Sequence, residues 1–466
     1  MFSWFSAPSA RRRGPGPGRA AATLVTGLLA VGALAAAGPA AAAGTTQGQG
    51  GAIATMGALK TYGAAVLHGA NGDHEISAGL FEMSVDGGGT LQTYCVDLHN
   101  PTQRDAKYHE TAWSGTSLSV NDNAGRIVWI LQNSYPQVND LASLAKKAGI
   151  TGGLTEQDAA AGTQVAIWRY SDGADVDAVD PQAERLADYL EKAARNVPEP
   201  KASLTLDTTA VSGRPGEPLG PVTVRTDASA VTVVPPVDAA TSGVRIVDQA
   251  GKEVSSAANG SRLFFDVPAD APAGSAELTV LASTTVPVGR ALTSVSRSQT
   301  QILAGSSAST VSATATASWA DQGAVPALSA RKNCTAGGLD ITVANKGDQV
   351  FTFELMGAEY AIAADETRTV TIPLQEDQSY DFTIAGQRFT GVLDCRIQAD
   401  TTGLTTQTLS EPTPVTAGGP VDTNLAETGS SSATPLIAGT AIGLVVIGGA
   451  VLLVLGRRKE TAAARD

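Results

Sequence analysis

From residue 58 the apolar positions come in short alternating runs, of which 78–85 and 91–98 are the clearest. Turn signals punctuate them, Gly69-Ala70-Asn71-Gly72-Asp73 and Asp86-Gly87-Gly88-Gly89, so the pattern predicts a hairpin with Cys95 on its second strand. From residue 121 the period becomes helical. Ile127, Val128, Ile130 and Leu131 share a face behind a cap at Asn121 or Asn123, and Leu141, Leu144 and Ala148 repeat the spacing. Thr155-Glu156-Gln157-Asp158 is a helix start of the capping type, and its helix carries Ala159, Ala160, Ala161, Gln164, Ala166 and Trp168. Gln164 thus falls on a face of small and apolar residues, an unusual place for a glutamine. A third helix, 181–194, has Asp180 as cap and proline at its first position, and ends at Asn196 and Pro198. Residues 51–200 are therefore expected to form one mixed α/β domain.

Beyond Pro198-Glu199-Pro200 the helical period nearly vanishes. Alternating runs at 203–206, 222–225, 230–234, 244–247, 263–267, 276–281 and 300–303 predict an Ig-like β-sandwich over 201–320. Runs at 339–343, 350–355, 367–372 and 380–384 predict a second, smaller sandwich over 331–398. Residues 399–424 are rich in Thr, Pro and Gly, without an apolar period, and read as an extended spacer. The stretch 435–456 lacks charge and would make a helix about 33 Å long, enough for a hydrocarbon core of about 30 Å. Arg457-Arg458-Lys459 follows it, a stop-transfer pattern for a transmembrane helix with a basic tail inside. At the other end, residues 1–43 combine Arg11, Arg12, Arg13 and Arg19 with an apolar run and a small-residue finish, the layout of a signal peptide. The expected fold class is thus multidomain: a mixed α/β domain, two all-β Ig-like sandwich modules, a spacer and one C-terminal transmembrane helix, everything between signal and anchor facing outward.

Charge and cysteine count narrow the function. The 466-residue chain carries a formal net charge of −13, and the predicted termini hold eight of its 32 Lys and Arg but only two of its 45 Asp and Glu, so the exported part is more acidic still. Such a surface repels nucleic acid and anionic headgroups, and neither is expected as a partner. Cys334 and Cys395 bracket the smaller sandwich at its first and last strands, and a disulfide there would close a loop of roughly 60 residues, worth about 4 kcal/mol. That leaves Cys95 as the odd one of three, pointing to an intermolecular bridge or a reactive thiol. The four histidines (His68, His74, His99, His109) show neither an i, i+4 helical pair nor a cysteine partner, so no metal site and no cofactor is expected.

A thiolate beside a glutamine side chain can attack the carboxamide carbon, expel ammonia and leave a thioester, a stored electrophile that an amine can later open. Tyr94-Cys95-Val96-Asp97 and Thr163-Gln164-Val165-Ala166-Ile167-Trp168 resemble the two motifs of the bacterial thioester domains, often called TQxA domains, found on Gram-positive surface adhesins. The resemblance covers about residues 51–200. It implies a thioester between Cys95 and Gln164, framed by the packing of Thr163, Ala166 and Trp168; as residues, Tyr94 and Trp168 read as core. It also implies a single-turnover covalent binder of an amine-bearing target, such as a lysine on a surface protein, rather than an enzyme. Asp97 either orients a neighbour or caps a turn, and His99 or His109 could move a proton. Leu425-Ala426-Glu427-Thr428-Gly429, the apolar span and the basic tail together resemble a sortase sorting signal over 425–466, of the Leu-Ala-x-Thr-Gly type. That resemblance implies cleavage between Thr428 and Gly429 and transfer to peptidoglycan. Two other readings stay open: a cysteine hydrolase or transglutaminase using Cys95 with His99 or His109, and a structural coat protein whose bond only locks the fold. Lys201 stands where a stalk lysine could cross-link, but no acceptor is marked.

Overall fold

The computed structural model describes residues 50–395, apart from Asn71 and Arg297. The predicted signal peptide, spacer, sorting signal and transmembrane helix lie outside the described residues. Among the described residues, no helix is long and apolar enough to cross a membrane.

The chain opens with two long strands, β1 (Ile53–Gly69) and β2 (Gly72–Val85), paired antiparallel along almost their whole length. β3 (Thr90–Cys95) returns beside β2, and β4 (Lys107–Thr111) pairs with the start of β1. Helices α1 (Ala124–Asn133), α2 (Leu141–Lys147) and α3 (Glu156–Ser171) follow, then the short strand β5 (Val176–Ala178) on β1 and helix α4 (Pro181–Ala193). The capping box at Thr155 and Asp158 is formed as the sequence predicts, with each side chain bonded to the other's backbone amide.

α3 is buried nearly all round, as a helix with apolar or small residues on every face must be. Small residues let it sink. A Cβ on Gly162 would stand 2.3 Å from the carbonyl oxygen of Ala183 in α4, so the absence of a side chain sets how closely the two helices approach. Ala161 of the same helix meets Gly63 of β1.

The next strands form two sheets. One holds β6 (Leu204–Asp207), β8 (Pro218–Thr226), β10 (Arg245–Val247) and β12 (Arg262–Asp266). The other holds β7 (Ala210–Gly213), β9 (Val231–Val234), β11 (Ser256–Ala257), β13 (Gly274–Thr284) and β16 (Ser309–Trp319). Alternate residues of both sheets, among them Val222, Val224, Leu263, Phe265, Leu278 and Val280, are buried in a common core. β13 and β16 pair antiparallel from Gly274↔Trp319 to Thr284↔Ser309.

Between those two strands the chain leaves the sandwich. It forms a hairpin of β14 (Ala291–Ser294) and β15 (Gln301–Ser306), which enters the first sheet: β15 pairs with β3, and β14 pairs with β4. The sheet order becomes β2-β3-β15-β14-β4-β1, and because β1 also pairs with β2 the sheet closes into a barrel. The run 300–303 was expected to be a strand of the 201–320 module, and here the expectation is corrected: residues 291–306 belong to the barrel. The physical reason is that an alternating run reports one buried face and says nothing of which sheet receives it. Arg290 locks the insertion. It is 5% exposed, its Nε donates to Glu110 Oε1 at 2.9 Å, and its Nη1 donates to both Glu199 and the carbonyl of Pro200. Ser203 and the Ala52 amide supply Glu110 with further donors.

The last described segment holds β17 (Pro326–Asn333), β18 (Gly338–Asn345), β19 (Phe351–Leu355), β20 (Ala358–Ile362), β21 (Thr367–Pro373), β22 (Ser379–Ile384) and β23 (Gln387–Val392), around a core of its own. Cys334 and Cys395 form a disulfide just beyond β17 and β23, 61 residues apart in sequence.

Candidate functional site

Cys95 ends β3, 3% exposed, and is the free cysteine of the described residues. Gln164 sits in the middle of α3 and is wholly buried. A buried carboxamide must place two N–H donors and one acceptor. Gln164 places them on Cys95: the Cys95 amide donates to Gln164 Oε1 at 2.9 Å, and Gln164 Nε2 donates to the Cys95 carbonyl at 2.9 Å. The side-chain amide of one residue therefore lies flat along the backbone of the other, like one more rung of the sheet. Two consequences follow for its chemistry. The orientation is fixed at two points, and both ends of the carboxamide are taken up by the Cys95 backbone rather than by its sulfur.

The sulfur has its own surroundings. Gln301 Nε2 donates to Cys95 Sγ at 3.1 Å, and Thr102 Oγ1 stands 3.8 Å from it. Thr93 donates to Gln301 Oε1 at 2.9 Å, and Thr102 donates to Gln299 Oε1 at 2.7 Å. Gln299 in turn bonds the carbonyl of Asp97. Burial pushes the Cys95 thiol up to about 12, against the pull of the Gln301 and Thr102 hydrogen bonds. The resting group at neutral pH is thus the thiol, so a thiolate forms only transiently.

A cavity of about 50 Å³ opens on the pair. Leu59, Phe81, Leu98 and Trp168 give it apolar walls, and Asn100, Thr102 and Gln299 give it polar ones. The lining suits a group with an apolar stem and one polar end.

The other residues singled out from the sequence fall in different places. Tyr94 points away from Cys95, as its neighbour in a strand must, and its hydroxyl donates to the Tyr135 carbonyl at 2.9 Å in the core. Thr163 bonds the Ala159 carbonyl and Ser134, both at 2.6 Å, and so secures α3 rather than touching the carboxamide. Ala166 is fully buried, and Trp168 is 4% exposed in the cavity wall, its Nε1 without a hydrogen-bond partner. Asp97 is 2% exposed, accepts from Asn100 on one oxygen and leaves Oδ1 unpartnered. Its burial, reinforced by Asp394 and Asp172, pushes its carboxyl up to about 8. His99 follows Leu98 near the buried Asp172, whose carboxylate accepts from the Leu98 amide at 2.8 Å. His109 lines a different cavity, with Thr293, Lys332 and Tyr380, and burial lowers its basicity.

Sequence reasoning missed Gln301, Gln299 and Thr102. Thr102 lies only seven residues from Cys95, but the two glutamines arrive from a hairpin some two hundred residues further on. No local pattern marks them, since polar residues on an alternating strand ordinarily face water.

Residues 92–196 match the family model described as "TED: Thioester domain". Among solved structures, the chain is similar to the Bacillus anthracis TIE protein at 14% identity, over 74% of this chain and 81% of that one, with a TM-score of 0.26. It is also similar to the thioester domain of the Enterococcus faecium TIE86 protein at 15% identity, over 58% of this chain and 96% of that one, with a TM-score of 0.27. No curated protein matches the sequence. The family match spans β3 through α4 and includes both Cys95 and Gln164, so this segment of the chain is similar to a thioester domain.

Proposed function

We propose that Cys95 and Gln164 join in an intramolecular thioester, and that the protein is an exported surface adhesin which spends this bond once, on an amine of its target. The observation that carries the reading is that Cys95 and the buried Gln164 line one cavity; a second reading, a bond from Cys95 to Gln301, is favoured by the Gln301 carboxamide, whose Nε2 lies 3.1 Å from the sulfur. In bond formation Sγ adds to the Gln164 carboxamide carbon, the thiol proton goes to the departing nitrogen, and ammonia leaves. In the second reaction an amine adds to the same carbon, the sulfur departs with one amine proton, and a stable amide remains on the former Gln164 side chain. Cys95 is then a free thiol again, but the acyl group is not restored, so the protein binds and does not turn over. The apolar cavity walls favour an amine on a methylene stem, as lysine presents, and burial protects the bond from water.

Trp168 walls the cavity beside this bond, Tyr94 and Thr163 secure the strand and helix that carry it, Ala166 and Asp97 are buried beside them, and His99 is the nearer of the two histidines in sequence for proton transfer. The Ig-like modules and the 399–424 spacer act as a stalk. The resemblance of 425–429 to a sorting signal, with the apolar span and basic tail behind it, supports attachment of Thr428 to peptidoglycan. Methylamine tests the reading. One adduct on Gln164 in the native protein, absent from Cys95→Ala, is the expected result; a native protein that forms the bond yet takes up no methylamine would leave only a structural lock.

A further inference from the structure

The cavity that holds His109 lies on the seam between the barrel and the disulfide-closed module, and Cys95 is not in its wall. It encloses about 110 Å³, more than twice the space at Cys95 and well above the ~10–15 Å³ that a single water needs. The barrel gives it His109 and Thr293, and the smaller module gives it Arg331, Lys332, Tyr380 and Phe389. Charge in this wall has one sign. The acid that lines it, Glu110, is already spent on Arg290, on Ser203 and on the Ala52 amide. Three bases line the same space, and among the described residues the side chains of His109, Arg331 and Lys332 have neither a hydrogen bond nor an ion pair. Burial lowers the basicity of His109 and of Lys332, the latter although Asp394 and Glu376 attract it from beyond ion-pair distance. A partly buried cation without a partner costs stability until an anion meets it. In a chain of net charge −13, composition alone would not put three bases around one cavity.

We propose that this seam is a binding site for a small organic carboxylate, with Lys332 and Arg331 holding the charged end, His109 adding an N–H, and the apolar body of the ligand lying against Tyr380 and Phe389. Binding is non-covalent and independent of the thioester reading. The aromatic wall selects the class: an inorganic anion would use the bases and leave both rings uncovered, whereas a carboxylate on a compact apolar body uses all of them. The position has a consequence for the fold. At this seam the Cys334 amide donates to the Ser114 carbonyl at 3.1 Å, and the Thr300 hydroxyl donates to Asp394 at 3.3 Å. A carboxylate bound between the two modules adds charge-assisted hydrogen bonds to these ties, so it favours the docked arrangement by mass action.

The test is equilibrium dialysis of the full-length protein with benzoate as the probe. One saturable equivalent is expected, and benzamide, which has the same shape without the charge, should bind at least about tenfold more weakly. Lys332→Met keeps the stem that packs near Gly115 and removes the ammonium; affinity for benzoate should fall by about 10- to 100-fold, the loss of one hydrogen bond to a charged group. Equal binding of benzoate and benzamide, inorganic phosphate bound as tightly as benzoate, or an unchanged affinity in Lys332→Met would each overturn the proposal. So would uptake by the wild type that does not saturate. Should Lys332→Met fail to fold, Arg331→Gln carries the test, since Arg331 is exposed and the core does not need it. A fall of about threefold, as for an exposed charge pair, supports the proposal, and no fall overturns it. Cys95→Ala, which can form no thioester, should bind benzoate like the wild type; a loss there would put the anion at the reactive centre and overturn the seam as its site.

Discussion

A fragment that stops at residue 200 contains the whole matched thioester segment, yet it should not fold. The closed barrel needs β14 and β15, and without them β3 and β4 present bare edges. The hairpin contributes Leu292, Ile302 and Leu303, all fully buried, so about 6 kcal/mol of apolar burial goes with it. Glu110 loses Arg290 and Ser203 at the same time and keeps the Ala52 amide, a further cost of about 3 kcal/mol for a broken buried pair. These losses approach the entire stability of an ordinary domain, which is about 5–15 kcal/mol. Circular dichroism melts of fragments 51–200 and 51–320 check the reasoning. The longer one should melt cooperatively, and the shorter should show no cooperative transition and react at once with thiol reagents at Cys95. A cooperative melt from 51–200, with its cysteine protected, would refute the two-module barrel.

Three further outcomes follow from the same geometry. Gly162→Ala drives a methyl group into the Ala183 carbonyl, so α3 and α4 must separate; a loss of about 2 kcal/mol in chemical denaturation is expected, and a neutral result would mean that the helices do not set the position of Gln164. Because burial raises the Cys95 thiol to about 12, alkylation of Gln164→Ala should climb about tenfold per pH unit from neutrality to about pH 10; a plateau near pH 8 would contradict an unactivated resting thiol. Asp97 is raised to about 8, so between its unfolded value near 4 and that pH the fold holds a proton that the unfolded chain has released, and its contribution to stability falls as pH rises. Asp97→Asn should therefore gain in melting temperature over the wild type between about pH 5 and pH 8, whereas a constant difference across that range would count against the buried neutral acid.

The parts legible in the sequence were those with local causes. A capping box followed by alanines and a misplaced glutamine located α3 and Gln164, because cap chemistry and helical period act within a few residues. The odd cysteine located Cys95, and the pairing of Cys334 with Cys395 followed from their places at the two ends of one module. The barrel did not show, because its closure depends on strands two hundred residues downstream whose alternation fits a sandwich equally well. Gln301 did not show for the same reason: its role comes from lying across from Cys95, and register is a property of two segments, not of one.

The central claim is a covalent bond between Cys95 and Gln164, and the intact mass of the freshly purified protein tests it most directly. The account predicts a mass lower than the disulfide-bonded sequence by one ammonia, with the deficit abolished in Cys95→Ala and in Gln164→Ala. A wild-type protein at its full sequence mass, with a thiol that titrates at Cys95, would contradict it.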